Sequence, residues 1–158
     1  MQKEENRDLS EKSVKDSFGK LNEADRLLLY MAPALVSVLA ATTNNRINKK
    51  QKADAFKLIS LKTYTARPEL IFYFKTVEKN FRKDFEELEK RYYPFDEPKR
   101  EMLRNELDKV NVVISKLDKA VAEILHRSLS EYATHIKRSG IGILDDFVFP
   151  LPIKGITY

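Results

Sequence analysis

The sequence predicts an all-α protein, a single-domain helical bundle of five to seven helices with a buried central helix and an extended C-terminal tail. Only 4 Gly and 6 Pro occur among 158 residues, which argues against a turn-rich β architecture. Apolar residues recur at steps of three and four over long stretches, as helices require. With 42% hydrophobic and 34% charged residues, the chain as a whole is neither disordered nor embedded in a membrane.

The predicted central helix lies in residues 27–41, where Ser37 is the one polar residue. A membrane span needs about 20 apolar residues, so this run is short, and Pro33 interrupts it. The preceding segment is long and rich in acids, unlike a secretory signal. We therefore expect a cytoplasmic protein without a transmembrane segment. Because proline disrupts helix interiors but suits a first turn, Pro33 predicts two helical pieces, about 22–31 and 32–43.

The N-terminal residues 1–20 form a polar segment that is set apart from one helical domain over residues 21–158. This segment either frays or docks as one short helix through Val14 and Phe18. At the other end, residues 141–158 contain the apolar run FVFPLPI, which is unsuited to a helix. We expect this tail to lie across the helices as a strap, with a partner-binding strap as the alternative.

Local signals divide the chain between these ends into further helices. Asn48 and Gln51 have capping-box spacing, and the helix that they open is predicted to run to about Leu61. The next helix is opened by Thr65 and Pro68 and ends near Pro94. Its apolar stripe is predicted to be core, and it comprises Ile71, Phe74, Val77, Phe81, Phe85, Leu88 and Tyr92.

The last helical region, residues 97–139, begins after the predicted cap Asp96. Unbroken, it would be about 65 Å long, too long for a domain of about 40 Å. It therefore either breaks, near residues 116–118 or at a register shift after Ile124, or projects to pair with another chain; a break is favoured. Its seam has near-heptad spacing and comprises Leu103, Leu107, Val110, Ile114, Leu117, Val121 and Ile124.

The net charge of +5 is concentrated in one segment, because residues 43–67 contain seven basic residues and one acid. At about 100° per residue, Lys49, Lys50 and Lys57 share one arc of the helix, which faces away from Ala55, Leu58 and Ile59. Such an arc is either an ordinary solvated face or a docking face for anions. The predicted anion-binding residues are Arg46, Lys49, Lys50, Lys57 and Lys62.

Few residues suggest catalysis or metal binding. The chain has no Cys and only two His, each near a glutamate: Glu123 with His126, and Glu131 with His135. A carboxylate-bridged di-iron site needs two Glu-x-x-His elements and further glutamates, and the two histidines point in opposite directions. Neither a Gly-rich phosphate loop nor a nucleophile elbow is visible. We expect no catalytic residue, no metal ligand, no cofactor and no small-molecule substrate.

Residues 31–51, MAPALVSVLAATTNNRINKKQ, resemble the signature of the TerB-like family, the helical domain of tellurite-resistance proteins and some co-chaperones. Asn44 stands at the family's Asp position, Asn45 at its Gly position and Gln51 at its Glu position, while Arg46 and Ile47 match. Residues 129–140 resemble the start of a second such unit. The resemblance implies a helical fold and stress-linked assembly, but the family's metal-binding carboxylates are amides here, and amides bring no charge to a hard cation.

The absence of a catalytic set predicts a non-catalytic cytoplasmic interaction or scaffold module, with a protein partner or a second copy as its ligand. The 103–124 seam is the surface through which copies would pair. The alternative is an anion-docking protein, whose basic 43–67 segment contacts nucleic acid or an acidic membrane surface. Phosphate contacts would make binding fall steeply with salt, whereas an apolar seam would not.

Overall fold

A computed structural model describes residues 9–42 and 47–139 of the chain, and within them it confirms the all-α prediction. Six α-helices and one short 3₁₀ turn, Pro68–Leu70, are present, and no strand occurs in these ranges. The helices are α1 (Glu11–Gly19), α2 (Glu23–Ala41), α3 (Lys49–Thr65), α4 (Ile71–Tyr92), α5 (Glu97–Ile114) and α6 (Lys119–Ser139).

Helix α2 is the centre of the bundle, as predicted. It packs against α3, α4, α5 and α6, and every residue from Ala32 to Thr42 is buried. By length and hydropathy α2 could cross a membrane, but 61% of its most apolar 18-residue window is buried inside the fold. This burial favours a core helix.

The prediction that Pro33 divides this region into two helices is wrong, because α2 continues through the proline. Proline has no N–H, so the carbonyl of Leu29, four residues earlier, loses its usual helical donor. The buried hydroxyl of Tyr73 on α4 donates to that carbonyl instead, at 2.6 Å. A side chain from a neighbouring helix thus replaces the missing backbone donor.

A second buried hydrogen-bond pair lies one turn further along α2. The hydroxyl of Ser37 donates to the carbonyl of Pro33 at 2.8 Å, and the hydroxyl of Tyr132 on α6 lies 2.8 Å from the same Ser37 oxygen. Burial raises the pKa of Tyr73 and of Tyr132 well above the ordinary value, so both phenols stay protonated and able to donate.

The N-terminal helix α1 belongs to the same core, since Val14 and Phe18 are buried in it. For residues 9–20, the part of this segment that the structure describes, docking as one short helix is therefore the alternative observed. The hydroxyl of Ser17 accepts from the backbone N–H of Asp118, and Lys20 pairs with the Asp118 carboxylate at 3.2 Å. These contacts join α1 to the start of α6.

The remaining helix boundaries follow local signals. The Asn48–Gln51 capping box and the Asp96 cap are both present. Helix α3 extends to Thr65, four residues beyond the predicted end, and stops before Pro68, since the residue before a proline disfavours helix. Pro68 opens the 3₁₀ turn, while α4 itself begins at Ile71.

The long 97–139 region breaks between α5 and α6, at residues 115–118, close to the first predicted position. All seven residues of the seam are buried within the chain itself, from Leu103 at 0% exposure to Leu117 at 6%. These residues pack within the chain's own core, and this burial does not favour the predicted pairing of two copies through the seam. The expected tail, residues 141–158, lies outside the described residues.

Replacing Tyr73 by Phe tests the hydrogen bond to Leu29. An unsatisfied buried carbonyl costs about 1–3 kcal/mol, so Tyr73→Phe should lower the free energy of unfolding by that amount in urea denaturation. Tyr132→Phe is the matched control and should cost only about 0.5–1.5 kcal/mol, because Ser37 keeps its bond to Pro33. An equal or smaller cost for Tyr73→Phe would contradict this role for its hydroxyl.

Candidate anion-binding face

The structure places three of the five predicted anion-binding residues together on the outer side of α3. Lys49, Lys50 and Lys57 are exposed, whereas Ala55 and Ile59 on the opposite side are buried in the core. The predicted orientation of this helix is therefore confirmed for these three lysines. Arg46 lies outside the described residues.

Lys62 does not belong to this face. Its side chain is 5% exposed, its ammonium lies 3.1 Å from a carboxylate oxygen of Glu131, and it lies 5.5 Å from the ring centre of Phe74. Five residues beyond Lys57, Lys62 is rotated by about 140° toward the core side of α3. Its inclusion among residues available to an external anion is thus corrected: its ammonium is already paired with Glu131 inside the fold.

Other cations of the 43–67 segment are also paired within the structure. Lys52 on α3 bridges two carboxylates of α4, Glu86 at 2.9 Å and Glu89 at 3.3 Å. Arg67 pairs with Glu69 at 2.8 Å. Three of the seven cations of the segment, Lys52, Lys62 and Arg67, are thus paired with acids that lie beyond residue 67.

The bridge at Lys52 shifts the pKa values of the groups that form it. Burial alone would lower the pKa of Lys52, but the hydrogen bonds to Glu86 and Glu89 outweigh it, so that the pKa is raised. The hydrogen bond from Lys52 in turn lowers the pKa of Glu86. This cation therefore serves the α3–α4 contact.

Lys49, Lys50 and Lys57 stand apart from these bridges. Lys49 and Lys57 form no ion pair with any residue that the structure describes. Lys50 pairs with Asp54 one turn along the helix at 3.0 Å, but its side chain is 84% exposed. Such surface pairs contribute little to stability, so the ammonium of Lys50 can turn toward another anion at low cost.

Two exposed apolar residues extend this side of α3 toward its C-terminal end. Leu61 and Tyr64 are four and seven residues beyond Lys57, which places all three on one side of the helix. Leu61 is 52% exposed and Tyr64 is 84% exposed. We refer to the surface made of Lys49, Lys50, Lys57, Leu61 and Tyr64 as the α3 face.

Sequence reasoning missed Leu61 and Tyr64 as members of this face. The helix was predicted to end near Leu61, so Tyr64 was not projected onto it. Had the helix been continued to Thr65, the same 100° projection would have placed Tyr64 within about 20° of Lys57. The sequence therefore contains the spacing that places Tyr64 on this face, but it can be used only if the helix is taken to extend to Thr65.

Arg82 on α4 borders the α3 face. Its guanidinium lies 4.4 Å from the ring centre of Phe56 on α3, a cation–π contact, and the residue is exposed. Phe56 in turn packs edge-on against Phe81 and Phe85. The stacking holds one further cation at the boundary between the two helices.

An open groove of about 560 Å³ lies at the C-terminal end of α4, lined by Glu86, Glu89, Lys90 and Tyr93. Two of these residues are the carboxylates that Lys52 bridges. The groove therefore shares its two carboxylates, but not Lys90, with the α3–α4 contact.

The predicted absence of a metal site is not contradicted by the arrangement of acids and histidines. Among the described residues, no three His, Cys, Asp or Glu side chains come together in a way that could hold an ion. His126 is buried, whereas His135 is exposed. The carboxylate of Glu131, which could have paired with His135, is hydrogen-bonded to Lys62.

The Lys52 bridge predicts a pH-dependent contribution to stability. Because the pKa of Glu86 is lowered in the folded state, the bridge stabilises the fold fully above the ordinary carboxyl pKa of 4.5, and this contribution is lost as the pH falls through the folded pKa. The difference in unfolding free energy between the wild type and Lys52→Gln should therefore be present near pH 7 and shrink below pH 4.5.

Lys50→Gln removes an exposed ion pair on the same helix and is the matched control, with an expected change within about 0.5 kcal/mol at any pH. Urea denaturation at a series of pH values measures both variants. If the Lys52→Gln difference stayed constant down to about pH 3, the bridge would have no electrostatic role.

No protein-family model, curated protein or solved structure matches this chain. The TerB-like resemblance of residues 31–51 therefore stays a prediction. Proposals about function rest on the geometry of the α3 face.

Proposed function

We propose that this protein is a non-catalytic cytoplasmic binding module that holds a negatively charged partner on the α3 face. The observation that supports it most directly is the position of Tyr64, a residue that is 84% exposed on the same side of α3 as Lys57. Tyrosine is enriched at binding interfaces, where its ring contributes contact area and its hydroxyl a hydrogen bond.

The inner and outer sides of α3 differ in what their side chains contact, and this difference supports a binding role for the outer side. The inner side, with Ala55, Ile59 and Thr63, is buried and fixes the helix to the core. Lys52 and Lys62 contribute their charges to bridges within the fold. The outer lysines therefore add nothing evident to the stability of the bundle and remain available to a partner.

The charge of the face indicates an anionic partner. Three lysines and one acid, Asp54, give the exposed part of α3 a net positive charge. A local concentration of one sign raises the concentration of oppositely charged groups and speeds their association. A scaffold role through a homo-oligomeric seam is less well supported, since the 103–124 seam is buried within the chain.

Binding of a generic polyanion tests this proposal. Heparin should bind the full chain, with an affinity that falls as salt is added. Lys49→Glu combined with Lys57→Glu should weaken binding at least about tenfold at low salt, since each cation near a polyanionic surface contributes about 1 kcal/mol. Calorimetric titration at two salt concentrations measures both effects.

A matched control separates the α3 face from net charge. Lys12→Glu combined with Lys119→Glu makes the same change in charge at exposed positions on α1 and α6. This variant should bind heparin nearly as the wild type does. An equal loss in both variants, or no binding by the wild type, would refute the assignment of the α3 face.

A further inference from the structure

We propose that the negatively charged partner is the surface of an anionic lipid bilayer, which the α3 face contacts through Lys49, Lys50 and Lys57 while Leu61 and Tyr64 insert among the headgroups. This inference rests on the proposed function and specifies the class of partner for the same face.

The apolar end of the face is a small protrusion with cations beside it. Leu61 and Tyr64 lie in the last turns of α3, and the chain leaves the helix at Ala66 in an extended conformation. Lys57 precedes them by one turn. Arg67 follows them, and its side chain is 47% exposed although it pairs with Glu69 at 2.8 Å. An apolar tip flanked by basic residues is the arrangement that an anionic membrane interface favours.

The chemistry of the two apolar residues distinguishes a lipid surface from a nucleic acid. Single-stranded nucleic acids are held by cations together with aromatic rings on which bases stack. Tyr64 could act in this way, but Leu61 has no aromatic face and is 52% exposed beside it. A bilayer interface accommodates both, because tyrosine rings lie at headgroup level and leucine reaches the acyl boundary.

The shape of the face also suits a bilayer. From Lys49 to Tyr64, α3 runs for about 22 Å, and the five side chains lie within an arc of about 120°. This is a convex ridge along one surface helix. Lysine side chains can lay their methylene stems along an apolar surface while the ammonium reaches phosphate oxygens. The ridge can therefore lie in the plane of the membrane.

The contact would be peripheral and reversible. The one described helix apolar enough to cross a membrane, α2, is already buried by its neighbours. Binding at such an interface grows with the apolar area inserted and with the attraction of basic residues to anionic lipids, and the α3 face offers a small amount of each. We therefore expect salt to release the protein from vesicles.

Vesicle binding of the full chain tests the inference. The wild type should co-sediment with vesicles containing 30% phosphatidylserine in phosphatidylcholine and not with pure phosphatidylcholine. Leu61→Ser combined with Tyr64→Ser should weaken this vesicle binding at least about tenfold. Met102→Ser combined with Val112→Ser alters two exposed apolar residues of α5 and is the matched control, with unchanged vesicle binding.

Fluorescence gives a direct readout of insertion, because the chain contains no Trp. The indole introduced by Tyr64→Trp should shift its emission to the blue on phosphatidylserine vesicles, and the indole introduced by Val112→Trp should not. Circular dichroism checks that all variants remain folded, as expected for substitutions at exposed positions.

The outcomes separate this inference from the proposed function. Heparin binding without vesicle binding would overturn the lipid assignment and leave the anion-binding face intact. Vesicle binding unaffected by the Leu61 and Tyr64 substitutions would also overturn it. If a single-stranded oligonucleotide quenched the Tyr64→Trp emission while vesicles did not change it, the partner would be nucleic acid. If the wild type bound neither heparin nor phosphatidylserine vesicles, both proposals would be refuted.

Discussion

The hydrogen bond from the Tyr73 hydroxyl to the Leu29 carbonyl is the interaction on which the architecture depends. Helix α2 contains a proline in its interior, and a proline there removes one backbone donor and crowds the preceding turn. The released carbonyl lies in the core, where water cannot satisfy it. Because Tyr73 donates to it, α2 remains one helix and can contact all four of α3, α4, α5 and α6.

The same tyrosine connects the N-terminal helix to the centre. Tyr73 stacks on Tyr30 of α2 with ring centres 5.4 Å apart, and Phe18 of α1 packs edge-on against both rings. Edge-to-face and offset-stacked pairs of this kind add to the free energy gained from apolar burial alone. The polar and aromatic parts of Tyr73 therefore stabilise different contacts of the same core.

How far the sequence predicts this structure depends on the range of the interaction. The Asn48–Gln51 capping box and the Asp96 cap are local patterns, and both appear as predicted. The apolar stripe of α4 is buried as predicted except for Ile71, which is half-buried, and Tyr73 is buried in addition. The continuity of α2 could not be predicted, because the donor for Leu29 comes from a residue 44 positions away. Local helix rules take account of Pro33 but not of a distant residue such as Tyr73.

The α3 face shows the same contrast between local patterns, which the sequence predicts, and long-range contacts, which it does not. A helical projection placed Lys49, Lys50 and Lys57 outside correctly, because orientation on a helix is a local property. The ammonium of Lys62 is paired with Glu131, 69 positions away, and that of Lys52 is paired with carboxylates of α4. Neither pairing can be predicted from the local sequence. Counting charges along the segment therefore overestimated the positive charge that a partner would meet. It also left out the exposed apolar end of the face.

A double-mutant cycle between Pro33 and Tyr73 tests the central claim most directly. In the Pro33→Ala background, position 33 regains a backbone N–H that can donate to the Leu29 carbonyl. The cost of Tyr73→Phe, measured by urea denaturation, should then fall by about 1 kcal/mol or more relative to its cost in the wild type. The same cost in both backgrounds would show that the tyrosine hydroxyl does not replace the donor that proline lacks.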